Sequence, residues 1–287
     1  MSVTEAPIDG AAFCADLVRS HDFVRYASTL FVPAAERRSL LAIYAFNAEV
    51  SRVHEHVSQP LPGEIRLQWW TDMLGGTEHG GVEGNPVAAE LLQAIRKHRL
   101  PVSALSRLVE AHQFDLYNDP MPSMAALEGY LADTASALFA LAARVMARPS
   151  DEIDHLARHA GLAQGMAQVI AALPRDAARH QLFLPLQLLQ EHGGSMEAVF
   201  ARKQTPEIGA AVAQFAREAQ THLDTALSLL SDIPPAARPV FLPLAYVRRD
   251  LVRATQAAND PFVPKPASRL RVLWTLWRAA RTKHFGG

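Results

Sequence analysis

A single cysteine, Cys14, is present among 287 residues. That scarcity excludes a disulfide within the chain and any metal site built on several thiolates, and it makes a reducing compartment the expected setting. Long apolar runs are missing too, since none approaches the ~20 residues that a membrane-crossing helix needs. Neither charge is in excess: 28 Lys and Arg oppose 29 Asp and Glu for a net charge of −1, so no global basic field draws the chain to nucleic acid. The opening MSVTEAPIDGAAF carries Glu5 and Asp9 and has neither an apolar centre nor an arginine-rich amphipathic pattern, unlike a secretory or mitochondrial leader. Together these absences lead us to expect a cytoplasmic protein, with contact at the periphery of the inner membrane compatible with them.

What is present reads as helix almost throughout. Apolar residues recur three and four positions apart and β-branched alternation is scarce; Leu40, Leu41, Tyr44, Ala45, Val50 and Val53 form one such face. Ala135 to Ala147 is rich in strong helix formers, and Ser123 and either Ser150 or Asp151 are expected N-caps. Breaks are predicted at Pro60–Pro62, Gly75–Pro86, Pro120–Pro122, Pro234–Pro235 and Pro261–Pro266. With 49% hydrophobic and 20% charged residues the chain can bury a sizeable core, and no linker divides it. One all-α domain over residues 1–287 is expected, with residues 1–12 flexible.

Several polar residues invite a metal or ligand reading. Asp151, His155 and His159 follow one another at four-residue spacing, as ligands on one helix face would, but no HExxH-type context accompanies them and a solvated face is expected. His54 and His56 flank Glu55 but diverge by about 200° on a helix, so they are not expected to chelate together. Trp69 and Trp70 are expected to anchor the core.

Gly161 to Pro185 reads GLAQGMAQVIAALPRDAARHQLFLP. It resembles the squalene/phytoene synthase family, whose helix follows G-x-A-x-Q-x-x-N-I-x-R-D-x-x-E-D and runs into a basic loop and Y-L-P. Gly161, Ala163, Asp176, Ala177, Arg179, Leu184 and Pro185 keep that pattern, and Phe183 stands for its Tyr. The family's Arg-Asp pair falls on Ala171 and Ala172, its Glu on Arg175 and its Asn on Gln168. Its other acidic motif, Y-A-[FW]-C-R-x-x-D-D-x-x-D, matches Tyr44 to Glu55, where Ser51, Arg52 and Glu55 replace the aspartates. Arg66, Leu67, Trp69, Trp70 and Leu74, then Asp115, Leu116 and Tyr130, fit further family segments in order.

The resemblance implies a single-domain terpenoid-synthase-like helical bundle with a central cavity. It also implies a chemistry that this chain has largely lost. In the family, Mg²⁺ held by carboxylates on two facing helices drives loss of diphosphate, and Mg²⁺ needs hard oxygen ligands. Here only Glu55 and Asp176 remain, so no cofactor is expected, or Mg²⁺ at those two if synthesis persists. Tyr44, Arg52, Gln164, Gln168, Arg175 and Arg179 mark an altered or vestigial substrate site, with the three arginines suited to hold phosphate directly.

Phe46, Asn47, Glu49, Gln68, Gln164 and Gly165 carry a closer resemblance to the family branch that contains the mitochondrial complex I assembly factor. That likeness implies a non-catalytic protein with respiratory-complex assembly partners, retaining a cavity for an isoprenoid or lipid ligand. The alternative is an active head-to-head prenyl transferase that condenses farnesyl or geranylgeranyl diphosphate. The small residues of the Gly161 segment suit either close helix packing or a cavity wall. Ser268 to Phe285 suits either a helix packed on the bundle or, through Leu270, Trp274, Trp277 and its arginines, a helix at a membrane interface.

Overall fold

The computed structural model describes residues 9–76, 84–255, 260–263, 268–282 and 285. Its α-helices, in chain order, are α1 Gly10–His21, α2 Phe23–Thr29, α3 Ala34–Ser51, α4 Pro60–Leu74, α5 Pro86–His98, α6 Val102–Ala111 and α7 Met124–Leu131, followed by α8 Ala137–Met146, α9 Asp151–Ala178, α10 Leu186–Glu191, α11 Met196–Phe200, α12 Pro206–Leu229, α13 Leu244–Ala254 and α14 Arg269–Ala280. No strand occurs among the described residues. None of their helices is long and apolar enough to cross a membrane.

The longest helix, α9, runs through the middle. Ser150 caps it by accepting from the Ile153 N–H at 3.4 Å, and Asp151, Glu152 and Asp154 place negative charge at its positive end. Asp151 is thus the first helical residue, and the cap is Ser150. Downstream, Leu156, Ala160, Ala163, Met166 and Leu173 are buried, because α8, α12 and α13 all pack on this helix. A second group, α1, α3 and α5, joins it through α3 and α8. Phe139 of α8 stacks on Phe241 at 5.4 Å, and burying each such ring stabilises the fold by roughly 1.5–3 kcal/mol.

Gly161 shows why small residues are needed in α9. A Cβ there would lie 2.2 Å from the Ser136 nitrogen and 2.3 Å from its Cα. The opposing backbone is a π-helical turn, Ala132–Ser136, whose Ser136 hydroxyl donates to the Arg158 carbonyl at 2.9 Å. Gly165 meets Leu131 in the same way, through side-chain atoms.

Some expectations need correction. Gly10, Ala11 and Ala12 belong to α1, whose first N–H groups are capped by Asp9, so the expected flexible start does not extend to residue 12; residues 1–8 lie outside the described residues. Helix α3 ends at Ser51, and Val53–His56 forms a 3-10 turn, so Val53 and Glu55 are not on the helix that carries Tyr44. Trp70 is buried edge-on against Phe46 at 5.0 Å, whereas Trp69 is only partly buried. Residues 77–83 and 264–267, within two predicted breaks, lie outside the described residues, as does Lys283.

Candidate functional site

A cavity of about 630 Å³ opens between α2, α3, α9 and the π-helical turn. Tyr44, Asn47, Ala48 and Ser51 line it from α3, and Gly165, Gln168, Val169, Ala171, Ala172, Arg175 and Asp176 from α9. Residues on α9 three and four apart share a face, so the segment that packs through Gly161 at one level walls the cavity through Ala171 and Ala172 lower down. Pro174 lies within this last stretch of α9. Lacking an N–H, it gives no backbone bond to the carbonyl one turn earlier.

At the mouth, two sequence-distant turns meet. Glu55 Oε2 accepts from Arg52 Nε at 2.7 Å, and Glu55 Oε1 accepts from Arg175 Nη1 at 3.2 Å. Arg175 Nε also donates to Asp176 Oδ1 at 3.1 Å. Burial alone would raise the Glu55 carboxyl, but the Arg52 hydrogen bond and the charges of Arg52 and Arg175 outweigh it and hold the group below its ordinary range. For Asp176 the balance reverses: burial dominates and raises its pKa in spite of Arg175. Both oxygens of Glu55 are therefore engaged by guanidinium groups. Among the described residues, no three His, Cys, Asp or Glu side chains are grouped to hold a metal ion.

Opposite the mouth, Arg25 of α2 lines the cavity, with Nη1 on Asp22 Oδ2 at 2.6 Å and Nη2 on Gln164 Oε1 at 2.7 Å. Gln164 thus holds Arg25 in place and is not itself among the lining residues. Tyr44 is buried beneath this arginine, whose guanidinium carbon lies 5.7 Å from the ring centre. Burial raises the Tyr44 pKa, and the nearby Arg25 charge offsets only part of the effect. Arg179 is the C-cap of α9 and does not line the cavity, although its charge reaches His54 and Asp176.

A third polar group sits between these ends. Asp115 Oδ2 accepts from His112 Nδ1 at 2.7 Å, and Asp115 Oδ1 accepts from the Tyr130 hydroxyl at 2.9 Å. Burial, then the Asp115 charge, raises the Tyr130 pKa well above its usual value. His112 Nε2 and His54 Nδ1 are buried without a hydrogen-bond partner, and both residues line the cavity. Asp115 and Tyr130 were legible as motif positions and His54 as a neighbour of Glu55; Arg25, Asp22 and His112 carried no sequence signal for this site.

Outside the cavity, Asp151 and His155 are exposed, but His159 is only partly so. Its Nδ1 lies 2.9 Å from His222 Nδ1 on α12, so the expected solvated face is in part a helix–helix seam. Trp69 borders separate surface grooves.

The model of the squalene/phytoene synthase family matches residues 18–278. The chain belongs to that family. Among its family relatives it is 32% identical over 252 residues to mouse NADH dehydrogenase (ubiquinone) complex I, assembly factor 6, covering 88% of this chain and 76% of that protein. The human counterpart is 30% identical over the same shares. A presqualene diphosphate synthase of Rhodopseudomonas palustris is 24% identical over 169 residues, 58% of this chain and 60% of that one. The fold is that of the family's solved members. A squalene synthase from Alicyclobacillus acidocaldarius superposes with a TM-score of 0.71 at 23% identity, covering 85% of this chain and 92% of that one. A dehydrosqualene synthase does so with 0.78 at 12%, covering 93% and 95%.

Proposed function

We propose that this protein is a non-catalytic member of the squalene/phytoene synthase family that assists assembly of the respiratory NADH dehydrogenase, works at the periphery of the membrane and keeps its cavity for an isoprenoid or lipid ligand. The observation that carries the reading is the capture of Glu55 by Arg52 and Arg175. A Mg²⁺ ion that assists diphosphate departure needs free, hard carboxylate oxygens. Glu55 offers none while both its oxygens hold guanidinium groups, and Asp176 shares one with Arg175. The residues present do not fit the metal cluster.

The three arginines lining the cavity are all paired with carboxylates: Arg25 with Asp22, while Arg52 and Arg175 share Glu55 and Arg175 also holds Asp176. A bare diphosphate would have to displace those carboxylates, whereas a neutral amphiphile would not. Its tail would meet Leu131, Ala135, Leu138 and Val169, and its head the unpartnered His112 and His54 nitrogens. The similarity to complex I assembly factor 6 supports the assembly role.

The test is incubation of the purified protein with farnesyl or geranylgeranyl diphosphate, Mg²⁺ and NADPH, scoring pyrophosphate and new hydrocarbon beside a Glu55→Ala, Asp176→Ala variant. No turnover by either folded protein is expected. Turnover that needs the two carboxylates would make this a prenyl transferase. For the assembly role, cells lacking the protein are expected to lose assembled NADH dehydrogenase on native gels; full assembly in its absence would refute it.

A further inference from the structure

Helix α14 has two unlike faces. Val272, Leu276 and Ala279 are buried where it packs on α2 and α13, while Leu270, Trp274 and Trp277 are 79%, 58% and 46% exposed. The same spacing of four and then three residues generates both faces. Cations accompany the exposed rings: Arg278 lies 5.7 Å over Trp274 and Arg281 lies 3.7 Å over Trp277. Tryptophan with an apolar body and a wet N–H, set beside arginine, suits the boundary between water and lipid.

The near-neutral net charge hides a separation along the chain. Residues 238–287 hold ten Lys and Arg against Asp250 and Asp260, a charge of +8, which leaves −9 on residues 1–237 given −1 overall. A basic segment of this kind is drawn to an anionic surface. The exposed leucine and tryptophans are apolar anchors that phosphate recognition alone would not require.

We propose that the outer face of α14 seats this protein on a bilayer containing anionic phospholipid. Leu270, Trp274 and Trp277 enter the headgroup boundary while Arg278 and Arg281 pair with lipid phosphate. Helix α2 links this face to the cavity, because Arg269 of α14 lies 5.0 Å over the Phe23 ring and Arg25, on the same helix as Phe23, lines the cavity. Helix α2 is thus shared between the packing of α14 and the cavity wall. This deepens the membrane-peripheral part of the proposed function and leaves the absence of turnover as a separate question.

The experiment is flotation of the full chain with vesicles of phosphatidylcholine alone and of equal parts phosphatidylcholine and phosphatidylglycerol. The intact protein is expected to float with the anionic vesicles only, and to be released by high salt. Arg278→Gln with Arg281→Gln is expected to weaken partitioning roughly 30-fold, and Trp274→Ser with Trp277→Ser to abolish flotation. Arg202→Gln with Lys203→Gln, equal in charge lost but on a distant turn, should change it far less. Thermal melting checks that each variant is folded. Quenching of tryptophan emission by brominated lipid gives a second readout, diminished in the fold-sparing Trp274→Phe, Trp277→Phe protein. Failure of the intact chain to float, equal flotation on neutral vesicles, or unchanged flotation of the folded serine variant would each overturn the proposal. So would retention by an oligonucleotide but not by vesicles, or self-association that the serine variant abolishes without any flotation.

Discussion

In the middle of α9, Gly161 lies so close to the Ser136 backbone that a Cβ would overlap it; four turns later, the side chains of Arg175 and Asp176 meet each other and Glu55 at the cavity mouth. The first region is held by the contact of two backbones, which no rotamer change can relieve. The second is held by ion pairs, which other charged residues could replace without moving a helix. A family can therefore keep its packing residues and vary those of its site, as the resemblance implies for Ala171, Ala172 and Arg175.

Gly161→Ala should have the largest effect and would break the comparison if tolerated. Overpacking against backbone is expected to cost about 2–3 kcal/mol, read as a lower midpoint in urea unfolding. Glu55→Gln tests the other region. It leaves Arg52 and Arg175 without their shared partner, with an expected loss of about 1–2 kcal/mol, since a hydrogen bond to a charged group contributes that order and partial exposure screens it. The same variant frees the Arg52 guanidinium and leaves Arg175 with Asp176 alone, so inorganic pyrophosphate should bind roughly tenfold more tightly by calorimetry. Unchanged pyrophosphate affinity would show that the carboxylate is not what neutralises the mouth.

The seam between α9 and α12 sharpens the comparison through pH. Burial, then the neighbouring His222, His155 and Arg158, lowers the His159 pKa. Burial likewise lowers that of His222, although Glu128 and Glu218 oppose it. Both imidazoles thus bind protons more readily in the unfolded chain than in the fold. Stability should be full above the ordinary histidine value of 6.5 and fall as pH drops through the lowered folded values. Melting of His222→Asn across that range should show a shallower fall than the unsubstituted protein. The smallest expected effect is a gain: Gly209 lies in α12 with nothing within 4 Å of an added Cβ, and Gly209→Ala should stabilise by about 0.5–1 kcal/mol, seen as a slightly higher melting temperature.

Much of this was readable in advance. Periodic apolar residues announce helices because a buried helix face must repeat at 3.6 residues, and Ser123 and Ser150 announce caps because their oxygens satisfy N–H groups that no turn of helix can. Tyr44, Arg52, Glu55, Gln168, Arg175 and Asp176, singled out from the eroded acidic motifs, all line one cavity. Arg179 and Gln164, singled out with them, do not line it, because neighbours along a helix turn away from one another, and which of them faces inward depends on the rotation that packing imposes. Arg25 and His112 were not legible at all. Neither stands in a recurring pattern, and each acquires a role only through a partner that folding brings near, Gln164 for Arg25 and the cavity itself for His112.

The sequence by itself determined that the chain is helical nearly throughout and that Glu55 and Asp176 are the carboxylates standing in its two motif frames, because residue type and spacing are fixed before any folding. It also determined that α14 would be amphipathic. Tertiary structure alone decided that Glu55 meets Arg175, 120 positions further along the chain, that Arg25 lines the cavity beside Gln164, and that the tryptophan face of α14 is the one left outside. Such pairings depend on how helices rotate and approach as they bury their apolar faces, and that arrangement is a property of the whole core and not of any segment.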